Sequence, residues 1–382
     1  MSDEAVVVRT QWGLLMGVIA AISIFAIVFG LSYPLLSLVL ERQGHSPSAI
    51  GINAAMLPLG LVVASFLIPH AARIVGTHRL AVGSALLTGA LFLAYGLWPN
   101  SWAWFPLRFF MGVATSTLFV LSEMWINSLA NDHNRGRIMG LFTTVLAAGF
   151  SLGPFLLVQV GSVGLTPFLV GAGICALGAL VLLPLGGRLP QFPITREASV
   201  RSFMPLAPIL ILAVGILAFF DQAALALLPV YGLALGHSEQ AAALWLAALG
   251  AGNIFFQIPL GWVADRIGRR KVMGGCALAT VGLCLLLPYA VDAGPLVWPV
   301  VLCLGAAGFG VYTMALTELG DRFTGELLLA GNAAFALMWG IGGLFGGPLG
   351  GGAMDLFGPH GLPAVMALAY SILFLFVLRG GR

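Results

Sequence analysis

Gly261-Trp262-Val263-Ala264-Asp265-Arg266-Ile267-Gly268-Arg269-Arg270-Lys271 decides the reading of this chain. It holds five of the thirty-one formal charges in 382 residues and lies between two long apolar segments. So dense a basic turn belongs in water, and the runs beside it belong in a bilayer. Composition agrees. Hydrophobic residues make up 60% of the chain and charged residues 8%, against about 25% charged in an ordinary soluble domain. A net charge of +3 is too small to point to nucleic acid. Cys175, Cys276, Cys284 and Cys303 all fall inside apolar runs without ligand spacing. They read as small core hydrophobes and not as a disulfide or metal site. The short polar stretch Met1 to Gln11 precedes an apolar run with no small-residue cleavage site, so that run reads as a retained span.

A helix needs about 20 apolar residues to cross the hydrocarbon core. The sequence supplies twelve such runs, at 12–40, 48–71, 79–97, 102–127, 138–160, 164–186, 206–233, 239–263, 271–291, 295–318, 327–354 and 361–379. In lipid each must bond its own backbone, so all twelve are helices and the fold class is an all-α polytopic membrane protein. With both termini cytoplasmic, fifteen of the seventeen Lys and Arg fall on the cytoplasmic side: Arg9, Arg73, Arg79, Arg135, Arg137, Arg188, Arg196, Arg201, Arg266, Arg269, Arg270, Lys271, Arg322, Arg379 and Arg382. Arg42 falls outside and Arg108 lies within a span. That asymmetry is the positive-inside rule, and it predicts a multi-pass protein of the inner, plasma membrane.

The chain echoes itself. Gly44-His45-Ser46 recurs as Gly236-His237-Ser238, an offset of 192, and Pro34 recurs as Pro229, an offset of 195. Leu121-Ser122-Glu123 recurs as Leu316-Thr317-Glu318, again 195, and Gly149-x-x-x-Gly153-Pro154 recurs as Gly343-x-x-x-Gly347-Pro348, at 194. Four matches in order at nearly one offset predict two pseudo-symmetric six-helix bundles. They would span 1–186 and 206–382, joined by a cytoplasmic linker at 187–205.

The pattern G-x-x-x-D-R-x-G-R-R-K resembles the loop signature of the major facilitator superfamily, whose parallel six-helix repeats hold substrate between them near mid-bilayer. The corresponding first-half stretch, Pro69 to Arg79, keeps Gly76 but has Arg73 in place of Asp265. This degenerate first loop is similar to that of the YcaD-like branch. The resemblance implies a monomeric rocker-switch transporter. It also implies a cytoplasmic latch of Gly261, Asp265, Arg266 and Gly268, with Glu318 as the partner of Arg266. Arg108-Phe-Phe-Met-Gly112 resembles the R-x-x-Q-G signature of proton-coupled members, with Met111 for Gln. Gly149-x-x-x-Gly153-Pro154 matches the kernel of an antiporter signature. Small residues four apart allow close helix approach and Pro permits a kink, so Gly149, Gly153, Pro154, Gly343, Gly347 and Pro348 read as hinges.

Asp221, mid-way along the seventh span, is the leading proton-exchanging residue, because low dielectric disfavours a charged carboxylate. A structural hydrogen-bond acceptor is the competing reading. Arg108 is expensive inside a span unless paired or wet; it either serves coupling or snorkels to the headgroups. Glu123, about 22 Å further along the same helix, is either a third coupling residue or a gate partner for Arg73, Arg135 or Arg137. Tyr33, Gln222, Asn253 and Gln257 are candidate substrate contacts, with helix–helix bonding as the alternative. Trp245 and Trp339 are candidate aromatic walls. No Ser/His/Asp cluster, metal-spaced His/Cys set or phosphate-cradling loop occurs, which argues against an enzyme, a metal, a cofactor or a nucleotide as partner. The expected activity is secondary transport of a small, neutral or weakly charged organic molecule with protons, export by antiport leading. Nutrient uptake by symport or facilitated diffusion is the alternative, and a lipid scramblase is the rival of another class.

Overall fold

A computed structural model describes residues 12–98, 100–130, 135–190 and 200–379, with the side chains at 135–137, 200 and 329 left aside. Arg9, Arg196 and Arg382, and the side chains of Arg135 and Arg137, therefore lie outside the described residues. Twelve helices among the described residues are long and apolar enough to cross a membrane. They are α1 (Trp12–Arg42), α2 (Pro47–Val75), α3 (Thr77–Leu97), α4 (Trp104–Leu129), α5 (Arg135–Val160), α6 (Thr166–Leu182), α7 (Pro208–Ala234), α8 (Glu239–Ile267), α9 (Arg269–Asp292), α10 (Val297–Arg322), α11 (Gly325–Phe357) and α12 (Gly361–Arg379). No boundary departs from the sequence expectation by more than four residues.

The duplication read from the sequence reappears in the packing. In the first half α1 packs on α5, α2 on α4, and α3 on α4 and α6. In the second half α7 packs on α11, α8 on α10, and α9 on α10 and α12. Between the halves, α2 lies along α11, α5 along α8, and α1 against α7. The Gly-His-Ser echo has a physical reason. Gly44 and Gly236 both adopt φ 82° after a helix. Ser46 and Ser238 then cap the next one, each accepting from a backbone N–H three residues on, at 3.3 and 3.2 Å. A side-chain oxygen at this position satisfies one of the orphan donors of the helix start.

The basic stretch Gly261 to Lys271 is not a turn in the sense expected. Residues 261–267 are the last turns of α8 and 269–271 the first of α9; Gly268 alone separates them. Its φ of 98° and ψ of 141° lie in backbone space open essentially to Gly, and its N–H bonds Ala264 O at 2.9 Å. Gly76 repeats the arrangement between α2 and α3, with φ 87° and a 3.0 Å bond to Ala72 O. The helices outrun the apolar segments here, because a single glycine reverses the chain while its N–H closes one helix and its carbonyl opens the next, accepting from Val272 N at 3.2 Å and, at Gly76, from Leu80 N at 3.0 Å. Gly268→Ala would force a side chain into this conformation, at a cost of about 1–3 kcal/mol. A thermal-unfolding midpoint lower by several degrees, matched by Gly76→Ala and not by Gly261→Ala, is the expected result.

Gly261 itself has open space where a Cβ would sit. The loops at Gly76 and Gly268, with the charges around them, define one end of the bundle, called the basic end below. The opposite end carries the two Gly-His-Ser corners.

Candidate translocation site

Glycine contacts set the register of the site. Gly60 on α2 and Gly112 on α4 sit where an added Cβ would fall 2.2 Å from Phe109 O and Leu57 O. That crossing brings Asn53, two turns before Gly60, against Arg108, one turn before Gly112. A second crossing joins α1 to α5: a Cβ on Gly30 would meet Phe150 O at 2.1 Å, and one on Gly153 would meet Gly30 C at 2.3 Å. It fixes Tyr33 one turn beyond. A third joins α7 to α11, where Gly342 faces Gly215 O and Gly346 faces Phe219 O, both at 2.2 Å. It places Asp221 and Gln222.

These crossings bring four of the expected residues into one buried group. Tyr33 Oη donates to Gln222 Oε1 at 2.9 Å, a bond that spans the two halves. Gln222 Nε2 donates to Asp221 Oδ2 at 3.5 Å. The Arg108 guanidinium lies over the Tyr33 ring, 5.2 Å from its centre, within cation–π range. Arg108 Nη1 donates to Asn53 Oδ1 at 3.1 Å. Arg108, Asn53 and Tyr33 are each 0% exposed, Asp221 8% and Gln222 6%. Arg108 thus turns inward and does not snorkel. Sequence reasoning misses Asn53, although an Asn inside an apolar span is its available signal. Phe29 meets Tyr33, Phe119 and Phe150 edge-on, at 5.3, 5.9 and 5.1 Å between ring centres, building an aromatic wall beside the group.

Other expected residues lie apart. Glu123 is exposed near the basic end of α4 and does not join the buried group. Asn253 and Gln257 do share a face, but they bond each other at 2.9 Å, and Thr313 Oγ1 on α10 donates to Gln257 Oε1. They tie α8 to α10 within the second half. Trp245 is buried at the far end of α8, against His237 and Tyr231 at 5.0 and 6.5 Å. It belongs to the corner and not to the site. Trp339 is half-buried and meets Tyr312 at 5.3 Å.

The expected latch has different partners. Glu318 Oε1 accepts from Arg322 at 3.1 Å and not from Arg266. Asp265 pairs with Arg269, which also reaches Asp321 at 3.3 Å. All of these pairs stay within the second half, because residues four apart on one helix, or on α9 and α10 side by side, are nearer than anything across the gap. Polar pairs join the halves at the opposite end. Arg42 Nη2 pairs with Glu239 and donates to Ser162 Oγ at 2.6 Å, while Ser162 Oγ itself donates to Glu239. Ser48 donates to Asp355 from both its hydroxyl and, at 3.1 Å, its backbone N–H. Close backbone contact reinforces this clasp: Gly51 faces Gly347 O and Gly351 faces Pro47 O, at 2.0 and 2.2 Å from the added Cβ.

The Arg42 and Glu239 side chains are more than a third exposed, at 39% and 36%, and such pairs contribute about 0.2–1 kcal/mol. Glu239→Gln should therefore raise maleimide labelling of a Ser37→Cys reporter only a few-fold. Ser37 is buried on α1 toward the clasp. An unchanged rate would show that the pair does not hold this end shut.

The family model described as Major Facilitator Superfamily matches residues 18–316 and 210–381. The chain is 29% identical over 372 residues to the uncharacterized transporter YfkF of Bacillus subtilis (strain 168), covering 94% of this chain and 93% of that protein. It is 25% identical over 348 residues to YcaD of Shigella flexneri serotype 5b (strain 8401), covering 90% of each. Among solved structures it resembles the nucleoside transporter NupG at a TM-score of 0.78 and 13% identity, covering 96% of this chain and 98% of that one. A D-xylose-proton symporter aligns at 0.75 and 16%, covering 97% of each. A fucose:proton symporter from E. coli aligns at 0.63 and 16%, covering 97% and 98%.

Proposed function

The chain belongs to the major facilitator superfamily, a family of transport proteins and not of enzymes, and on that premise we propose that it carries a small, weakly charged organic molecule inward together with protons. Secondary transport of a small molecule by a multi-pass membrane protein follows from the family itself. The bond from Tyr33 to Gln222, joined to Asp221 mid-way along α7, carries the proton-coupled reading, since one buried polar chain touches both halves. Asp221 as carboxylate only accepts; as acid it also donates. A protonated Asp221 can give its hydrogen to Gln222 Oε1, the atom that Tyr33 uses. Proton binding would then loosen the cross-half bond, and alternating access would follow the proton.

Symport replaces the antiport expectation for two reasons. Two of the fold neighbours are named proton symporters. The antiporter-like kernel also has a packing reason of its own, because Gly149 and Gly153 are where α5 meets α1. The closed clasp, with the ion pairs of Arg269 and Arg322 at the basic end kept within the second half, supports a state open toward the basic end. With that end cytoplasmic, as the Arg distribution predicts, substrate would leave there. Reconstituted vesicles with an imposed pH gradient test the reading. Accumulation that follows the gradient is expected for a transported compound; flux indifferent to it would overturn proton coupling.

A further inference from the structure

We propose that the molecule carried is an acid, with a carboxylate or an equivalent planar two-oxygen anion held by Arg108 and Asn53. The inference rests on the transport reading above and names the substrate class of that site. Arg108 is fully buried, and only its Nη1 is engaged, by Asn53 Oδ1. Its Nε and Nη2 find no hydrogen-bond partner among the described residues, and neither does Asn53 Nδ2. Nε–H and Nη2–H leave the guanidinium side by side, as the fork that matches the two oxygens of a carboxylate. Asn53 Nδ2 belongs to the amide already bonded to the same guanidinium, so three unengaged donors lie in one buried group.

No carboxylate among the described residues forms an ion pair with Arg108. Asp221 is engaged with Gln222, and Arg108 meets Asn53 and the face of Tyr33. A buried charge without a counter-charge is costly, and a buried donor without an acceptor adds to that cost. One positive charge and three donors call for an acceptor-only group bearing one negative charge. A neutral ligand would leave the charge unbalanced, and a halide would fill the charge without serving both arms of the fork. Tyr33 and the Phe29, Phe119 and Phe150 rings next to it favour an apolar or aromatic body behind the acid group.

The test can be run before the natural substrate is identified. Asn53→Asp supplies the missing acid internally, at nearly constant shape. The purified full-length protein carrying it should unfold several degrees higher than wild type. Benzoate, phenylacetate and C3–C8 monocarboxylates, each paired with its primary amide, are then tested by thermal shift. At least one acid should protect wild type while its amide does not. Its affinity should fall at least tenfold in Arg108→Lys, which keeps charge and loses the fork, and at least tenfold in Asn53→Asp. An Asn53→Asp protein no more stable than wild type, or acid binding unchanged in both variants, would overturn the proposal. So would a neutral compound that moves with the pH gradient equally well in wild type and Asn53→Asp. That last outcome would leave proton-coupled transport standing, whereas gradient-blind flux of an acid that binds Arg108 would do the reverse.

Discussion

Asp221→Asn is expected to abolish gradient-driven accumulation while sparing downhill exchange. Asn has nearly the shape of Asp and, like its protonated form, has a hydrogen to give to Gln222 Oε1 while its oxygen can still accept from Gln222 Nε2. The site then behaves as permanently loaded. Exchange of labelled for unlabelled substrate needs no proton to leave, and its rate should stay within about threefold of wild type. On the symport reading, accumulation requires Asp221 to release its proton on the low-proton face, where substrate builds up, and should fall more than tenfold, toward equal substrate concentrations on both faces. A tenfold change corresponds to about 1.4 kcal/mol of lost coupling, a modest demand on a carboxylate 8% exposed between two packed halves. Vesicles loaded at one pH and diluted into another read both quantities in one preparation. Full accumulation by the Asn variant would remove Asp221 from the mechanism.

The second large effect concerns the clasp end. A Cβ on Gly347 would lie 2.4 Å from Gly51 O, a backbone atom that cannot swing aside. Gly347→Val therefore penalises the contact between α11 and α2, and overpacking of this kind costs about 1–3 kcal/mol. On the alternating-access reading proposed here the contact is lost when this end opens, so the cost would fall on one conformation and shift the balance toward the other. At about 1.4 kcal/mol per tenfold, the open fraction should rise by roughly an order of magnitude. Maleimide labelling of Ser37→Cys should accelerate accordingly. Cys175, Cys276 and Cys284 are buried and Cys303 half-buried, so the parent protein gives a low background. Gly352→Val on the same helix, with only Ser48 Oγ at 4.0 Å, is the control and should leave the rate unchanged. Equal rates in both variants would show that the tight approach is not part of the closed state.

Twelve spans, their ends and the duplication are legible in the chain before it folds, because each is written in contiguous residues. Apolar length sets the helices, and the Gly-x-Ser corners mark where two of them cap. Asp221 and Arg108 are legible too, because an ionisable group inside an apolar run is conspicuous by cost alone. What the sequence hides is pairing. Arg42 meets Glu239 across 197 positions and Ser48 meets Asp355 across 307, and nothing local to any of them marks it as half of a pair. Arg266 and Glu318 look complementary by charge, yet Glu318 takes Arg322, one turn away on its own helix. Trp245 looks like a binding wall by type, yet its height along α8 places it at a corner. The glycines of α11 suggest pliability when seen in sequence. Among them Gly342 and Gly346 meet α7, Gly347 and Gly351 meet α2, and Gly343 touches Gln222 and Pro58, one on each, a packing role visible only once both neighbours are in place. Their part as hinges stands as a proposal.

The one-residue joints at Gly76 and Gly268 carry a mechanical implication. A reversal that short has no slack: when α8 tilts, α9 must tilt with it, and α3 must follow α2 in the same way. On the transport reading proposed here, each six-helix block would thereby act at its rim as a lever, so that a small rearrangement at Gln222 would reach the far surface as a large swing instead of being absorbed in a floppy connection.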